Sequence, residues 1–213
     1  MAYSSFSLSD VLERFDLKLV DSQALFSQVL PREPSELLRQ WLAESVDLAL
    51  DLSTEKARSE GIIAPILLEV RRLLERRVSL FSGIDFTVDV AQGLNGECDF
   101  MFSKSPEQLL LRAPVVTVVE ATQARQVHLQ GQEAKNENFR NGIAQATAEM
   151  YAARIFNERK GHPIPRVYGA VTTGDMWRFL KLEGNTVYAD AKRYDLDDLT
   201  HILGIFCFML ETA

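Results

Sequence analysis

Pro114-Val115-Val116-Thr117-Val118-Val119-Glu120 is the stretch on which the fold turns. It is almost unbroken valine, with no polar alternation until the terminal glutamate. A β-branched run of this kind suits a central strand covered on both faces, and only helices packed on both sides of a sheet provide that cover. Upstream, Glu97-Cys98-Asp99-Phe100-Met101-Phe102 reads as a neighbouring strand. Before it, Ile84-Asp85-Phe86-Thr87-Val88-Asp89-Val90 alternates apolar and polar residues, as a half-buried strand does. The intervening Gln92-Gly93-Leu94-Asn95-Gly96 has the glycines of a hairpin turn.

Further out, Ser53-Thr54-Glu55-Lys56 is a capping pattern that opens a helix running through Leu74, with a kink or a boundary between two helices expected at Pro65. Downstream, residues 121–137 are polar and irregular. A helix is predicted over 139–156, then strands over 167–172, 176–182 and 186–189. A last helix, capped by Asp195–Asp198, carries Ile202, Leu203, Phe206 and Leu210. The N-terminal residues 1–53 read as a helical extension packed on the core, with short helices near Val11–Phe15 and Ala24–Val29. A longer one is capped by Ser35 and carries Leu37, Leu38, Trp41, Leu42, Val46 and Leu50. Residues 54–213 then form one α/β domain, a mixed β-sheet flanked by helices.

The chain of 213 residues is 46% hydrophobic and 25% charged, the composition of one globular domain. Its longest apolar run, Ile202 to Leu210, is too short to cross a bilayer, so no membrane partner is expected. The first residues lack the basic start and apolar core of a secretion signal. Two cysteines, Cys98 and Cys207, make neither a disulfide framework nor a four-ligand zinc site, and a reducing cytoplasm fits them. A net charge of −7 argues against binding along a phosphate backbone, but it is uneven. Residues 1–53 hold nine acids against four bases, whereas 54–80 and 123–166 are net basic. Those two basic segments flank the residues that carry the chemistry, as contact with nucleic acid requires.

Asp99 and Glu120 fall on adjacent strands, and two such carboxylates can converge on a hard divalent cation. Mg²⁺ (or Mn²⁺) needs only one or two carboxylates beside waters and a substrate phosphate. A third acid could come from the preceding helix, at Glu55, Glu60 or Glu69. The competing reading is that acids at strand ends are merely solvated termini. Gln145 stands out on the alanine-rich helix, four residues after Asn141 and four before Glu149, where its amide can reach back to the strand end. Cys98 should point away from Asp99 as a small buried apolar residue. His128, His162 and His201 show no ligand spacing, and no phosphate loop or Gly-x-Ser-x-Gly elbow is present.

Gly96-Glu97-Cys98-Asp99, followed about twenty residues on by Val118-Val119-Glu120-Ala121-Thr122, resembles the PD-(D/E)XK nuclease superfamily. So do Gly142-Ile143-Ala144-Gln145-Ala146-Thr147-Ala148-Glu149-Met150 and the pair Tyr168–Gly174 and Trp177-Arg178-Phe179. The resemblance covers residues 54–190. It implies a restriction endonuclease-like fold, an α-β-β-β-α-β core plus extra strands, and Mg²⁺-dependent hydrolysis of DNA. It also implies Asp99 and Glu120 as metal ligands, and a homodimer. The motif lysine, two residues after Glu120, is replaced by Thr122, whose hydroxyl brings no positive charge and titrates too high to act as a base. Three expectations follow. Lys135, Arg125 or Arg140 takes over the lysine's task; or Thr122 and Gln123 hydrogen-bond a water in a slow site; or the domain is an inactive nuclease-like module that binds nucleic acid or a partner protein.

Overall fold

The computed structural model describes residues 2–122 and 131–213, with 131–138 described as backbone only. Within them the chain forms helices α1 (Leu8–Arg14), α2 (Glu36–Leu52), α3 (Glu55–Arg58), α4 (Ala64–Leu73), α5 (Gly131–Arg159) and α6 (Leu199–Thr212). The strands are β1 (Lys18–Val20), β2 (Ser79–Asp85), β3 (Glu97–Ser103), β4 (Val115–Ala121), β5 (Arg166–Thr172), β6 (Met176–Glu183), β7 (Thr186–Ala189) and β8 (Tyr194–Asp195). They join in one mixed sheet, in the order β1-β7-β6-β5-β4-β3-β2, with β8 also paired to β6. The β4–β5 and β1–β7 pairs are parallel and the others antiparallel.

β4 is the buried strand that its valines predict, with every residue from Val115 to Ala121 covered. On one face α4, α6 and α2 pack over Phe102, Val116, Val119 and Phe179. On the other, α5 and α1 cover Met101, Val118, Val171 and Leu180. The parallel β4–β5 connection runs through α5, which is anchored at both ends of β4. At the start, the Asn157 amide brackets Val115, accepting from its N–H at 2.7 Å and donating to its carbonyl at 2.8 Å. At the far end, Gly142 allows close approach: a Cβ there would lie 2.5 Å from Thr122 Cγ2 and 2.6 Å from Val171 Cγ1. Only glycine lets α5 settle onto that end of the sheet.

Two sequence expectations are corrected. The strand before the hairpin is Ser79–Asp85, not 84–90. Residues 86–96 form a loop in which Asp89 caps the short turn Val90–Gln92 and pairs with Arg159, so its alternation reflects local polar bonding. The N-terminal 53 residues are not purely helical. Lys18–Val20 adds strand β1 beside β7, and no helix forms over 24–29, where Phe26 instead plugs the core. The boundary expected at Pro65 is present, as a change of helix type. A π-helical turn, Ser59–Ile63, joins α3 to α4, and Pro65 sits in the first turn of α4. Proline has no N–H for the Gly61 carbonyl four residues back, which accepts instead from Trp41 Nε1 (3.0 Å) and Ser45 Oγ (2.7 Å) of α2. Among the described residues no helix is long and apolar enough to cross a membrane.

Candidate functional site

At one edge of the sheet β3 begins and β4 ends, and β3 peels away from its partner. The ladder stops at the Phe100–Val119 pair. Continued by one residue, that register sets Asp99 opposite Glu120. The peeling leaves the Ala121 N–H without a strand partner, and Asp99 Oδ2 accepts it at 2.7 Å. Asp99 is thus held by backbone, immediately beside Glu120.

Glu120 points to the α5 face. Gln145 Nε2 donates to Glu120 Oε2 at 2.9 Å and to Glu149 Oε1 at 3.1 Å, so one amide bridges two buried carboxylates. Glu149 is fully buried, and its Oε2 has no hydrogen-bond partner. Cys98, also fully buried, lies in the core on the α5 face, beside Glu149. From the opposite face Glu55 enters at the first turn of α3, whose N-cap is Thr54. One turn on, the buried Arg58 fixes this helix to the β5–β6 turn, donating to the Thr173 carbonyl (2.7 Å) and Asp175 (3.0 Å).

The electrostatics agree with the geometry. Burial raises Glu120 well above the usual carboxylate range, and the charges of Glu149, Asp99 and Glu55 add to it, against the Gln145 hydrogen bond. Burial pushes Glu149 up to about 8, with Asp99 contributing. Burial also raises Asp99, partly offset by the Ala121 N–H, and raises Glu55, with Asp99 next in weight. Among the described residues no lysine or arginine pairs with any of these four acids. Mutually repelling carboxylates with an orphaned buried oxygen suit a divalent cation, which would relieve the repulsion. Among the described residues, no three His, Cys, Asp or Glu side chains form a ready-made metal cage. Mg²⁺ does not require one, since waters and phosphate complete its shell.

Of the three acids expected as a possible third ligand, Glu55 is the one whose charge acts on Asp99 and Glu120. Glu60 pairs with Lys56 on the surface at 2.7 Å. Glu69, fourteen residues beyond Glu55 and about 20 Å farther along the helical run, is bound by Arg72 and Ser35. The Thr122 N–H donates to the Thr172 carbonyl (2.8 Å), and its hydroxyl lies 3.4 Å from the same oxygen, so the side chain faces β5. Arg140 is exposed on α5. The Lys135 side chain, Gln123 and Arg125 lie outside the described residues. Glu149 escaped the sequence reading as a site residue. Its signal was an acid on a buried Ala/Met helix face with no Lys or Arg three or four residues away. No protein-family model matches the chain, and no curated protein does.

Proposed function

We propose that the chain is a divalent-cation-dependent phosphodiester hydrolase acting on DNA, with a restriction endonuclease-like fold. The observation that carries this reading is the pairing of Asp99 with Glu120 where β3 parts from β4, with the charge of Glu55 felt by both. Support also comes from the order of elements. A helix, three antiparallel strands, a helix and a strand parallel to the third form the α-β-β-β-α-β core, with β6, β7, β8 and β1 added at one side.

Asp99 and Glu120, with Glu55, would hold Mg²⁺ or Mn²⁺, which when bound neutralises phosphate charge and lowers the pKa of a water. The Ala121 N–H and the Gln145 amide fix the two central carboxylates before substrate arrives, so little reorganisation is needed. Gln145 also tethers Glu149, which at neutral pH is held largely protonated and can keep a proton at Oε2. Thr122 brings no cation to the scissile phosphate. Arg140, exposed on α5, would offer positive charge to a DNA backbone.

Thr122 also favours a second reading, a non-catalytic module on the same fold that binds nucleic acid or a protein. Cleavage of supercoiled plasmid in Mg²⁺ and Mn²⁺ separates the two. Asp99→Asn and Glu120→Gln should each lose at least about 100-fold of the wild-type rate, and Thr122→Lys should raise it. Absence of cleavage by wild type and Thr122→Lys alike would overturn the hydrolase reading, and retained DNA binding would then leave the second.

A further inference from the structure

At the opposite end of β4 from the acids, roughly 17 Å from Glu120 along the strand, three basic side chains meet around a cavity of about 270 Å³. Arg112 enters from the loop that leads into β4, and Lys160 and His162 from the turn that follows α5. Leu111, Ala113 and Phe156 make the apolar wall, and no acid lines the cavity. The acids near it in sequence or space are used elsewhere. Asp89 pairs with Arg159 (3.0 Å), and Glu107 accepts the Leu109 N–H (2.9 Å). Glu158 lies about 200° around α5 from both Phe156 and Lys160. Among the described residues none of the three basic side chains has an ion pair.

The walls are set before any ligand arrives. Gly161 takes a positive φ of 76°, its N–H donates to the Glu158 carbonyl (3.0 Å), and the His162 N–H donates to the Asn157 carbonyl (2.9 Å), which together close α5. The Asn157 side chain, which brackets Val115, ties this turn to the strand that follows Arg112. Phe86 braces Phe156 edge-on, with ring centroids 5.4 Å apart, and the Lys160 ammonium lies 5.8 Å from the Phe156 centroid. A helix C-terminus accounts for Lys160 and His162. It does not account for Arg112, which comes from the other wall.

We infer that this cavity binds a small phosphate monoester. The dianion meets a planar guanidinium fork, an ammonium and an imidazole, and the organic body lies on Leu111 and Phe156. A carboxylate or a sulfonate brings a single charge to three converging basic groups. A nucleic-acid backbone brings diesters of one charge each, and it tracks an open groove rather than a cavity. The site lies a strand's length from the acids and needs no metal, so its test is independent of the proposed hydrolysis.

Calorimetric titration of phenyl phosphate into the metal-free full chain, near neutral pH and at low ionic strength, tests it. Wild type should bind saturably with a Kd below about 1 mM. Arg112→Ala and Lys160→Ala should each weaken binding at least about fivefold. Their far-UV circular dichroism should be unchanged, since both side chains are exposed. Benzenesulfonate, the same ring with one charge fewer, should bind at least about fivefold more weakly than phenyl phosphate. No saturable binding by wild type up to about 10 mM, equal binding by Arg112→Ala, or benzenesulfonate bound as tightly would each overturn the inference. So would displacement of phenyl phosphate by an oligonucleotide without a terminal phosphate, which would give the three basic groups to a nucleic-acid backbone.

Discussion

Glu69 and Glu120 are both buried glutamates, 6% and 7% exposed, and they behave oppositely. Burial pushes Glu69 upward, but two hydrogen bonds from Arg72 (2.7 and 2.8 Å), the Ser35 N–H and hydroxyl, and the Arg72 charge outweigh it, so its pKa ends below the ordinary value. Glu120 exposes as little surface but is packed more deeply, so desolvation weighs more on it; its one donor is the neutral Gln145, and around it are other acids. The first carboxylate is a structural clamp tying α4 to the start of α2. The second is held in a state that the protein alone does not favour. A buried acid with its cation explains itself, whereas a buried cluster of acids asks for a ligand.

The contrast predicts stability changes of opposite sign. Glu69→Gln should cost about 2–3 kcal/mol, because Arg72 loses its partner and the Ser35 bonds weaken. Glu120→Gln should stabilise the metal-free protein by about 1–2 kcal/mol near pH 8, since it removes a buried charge while keeping shape. Urea melts of both variants measure the pair, and equal signs would break the comparison.

Glu149 sharpens it further. Its folded pKa, about 8, lies above the ordinary 4.5. A raised group contributes its stability fully below the unfolded value and loses it as pH rises through the folded one. The metal-free protein should therefore weaken between about pH 4.5 and 8, by at most about 5 kcal/mol from this group. Glu149→Gln should flatten that slope, as thermal midpoints across this range would show. A slope unchanged by the substitution would assign it to other groups.

Much of this contrast was legible in the residues and some was not. β4 and its terminal Glu120 stood out because burial on both faces leaves no room for polar alternation. Gln145 stood out as a polar break in an alanine-rich helix. β2 did not, because Ser79, Ser82 and Gly83 blur its period, Gly83 taking a positive φ of 59° where it faces Glu97. Neighbouring 84–90 imitated a strand because its polar residues answer to other bonds: Asp85 at the end of β2 accepts from Thr87, and Asp89 accepts from Gln92 in the loop and from Arg159 at the end of α5. β1, three residues long, carries too little pattern to read. The choice of Glu55 over Glu60 and Glu69 required tertiary structure, since three acids on one helical run differ only in what they face.

The most direct test is calorimetric titration of Mn²⁺ into the wild-type chain and into Glu120→Gln. Saturable binding by wild type, weakened at least about tenfold by the substitution, is the predicted result. No saturable binding by wild type, or equal binding by both, would contradict a cation site at Asp99 and Glu120.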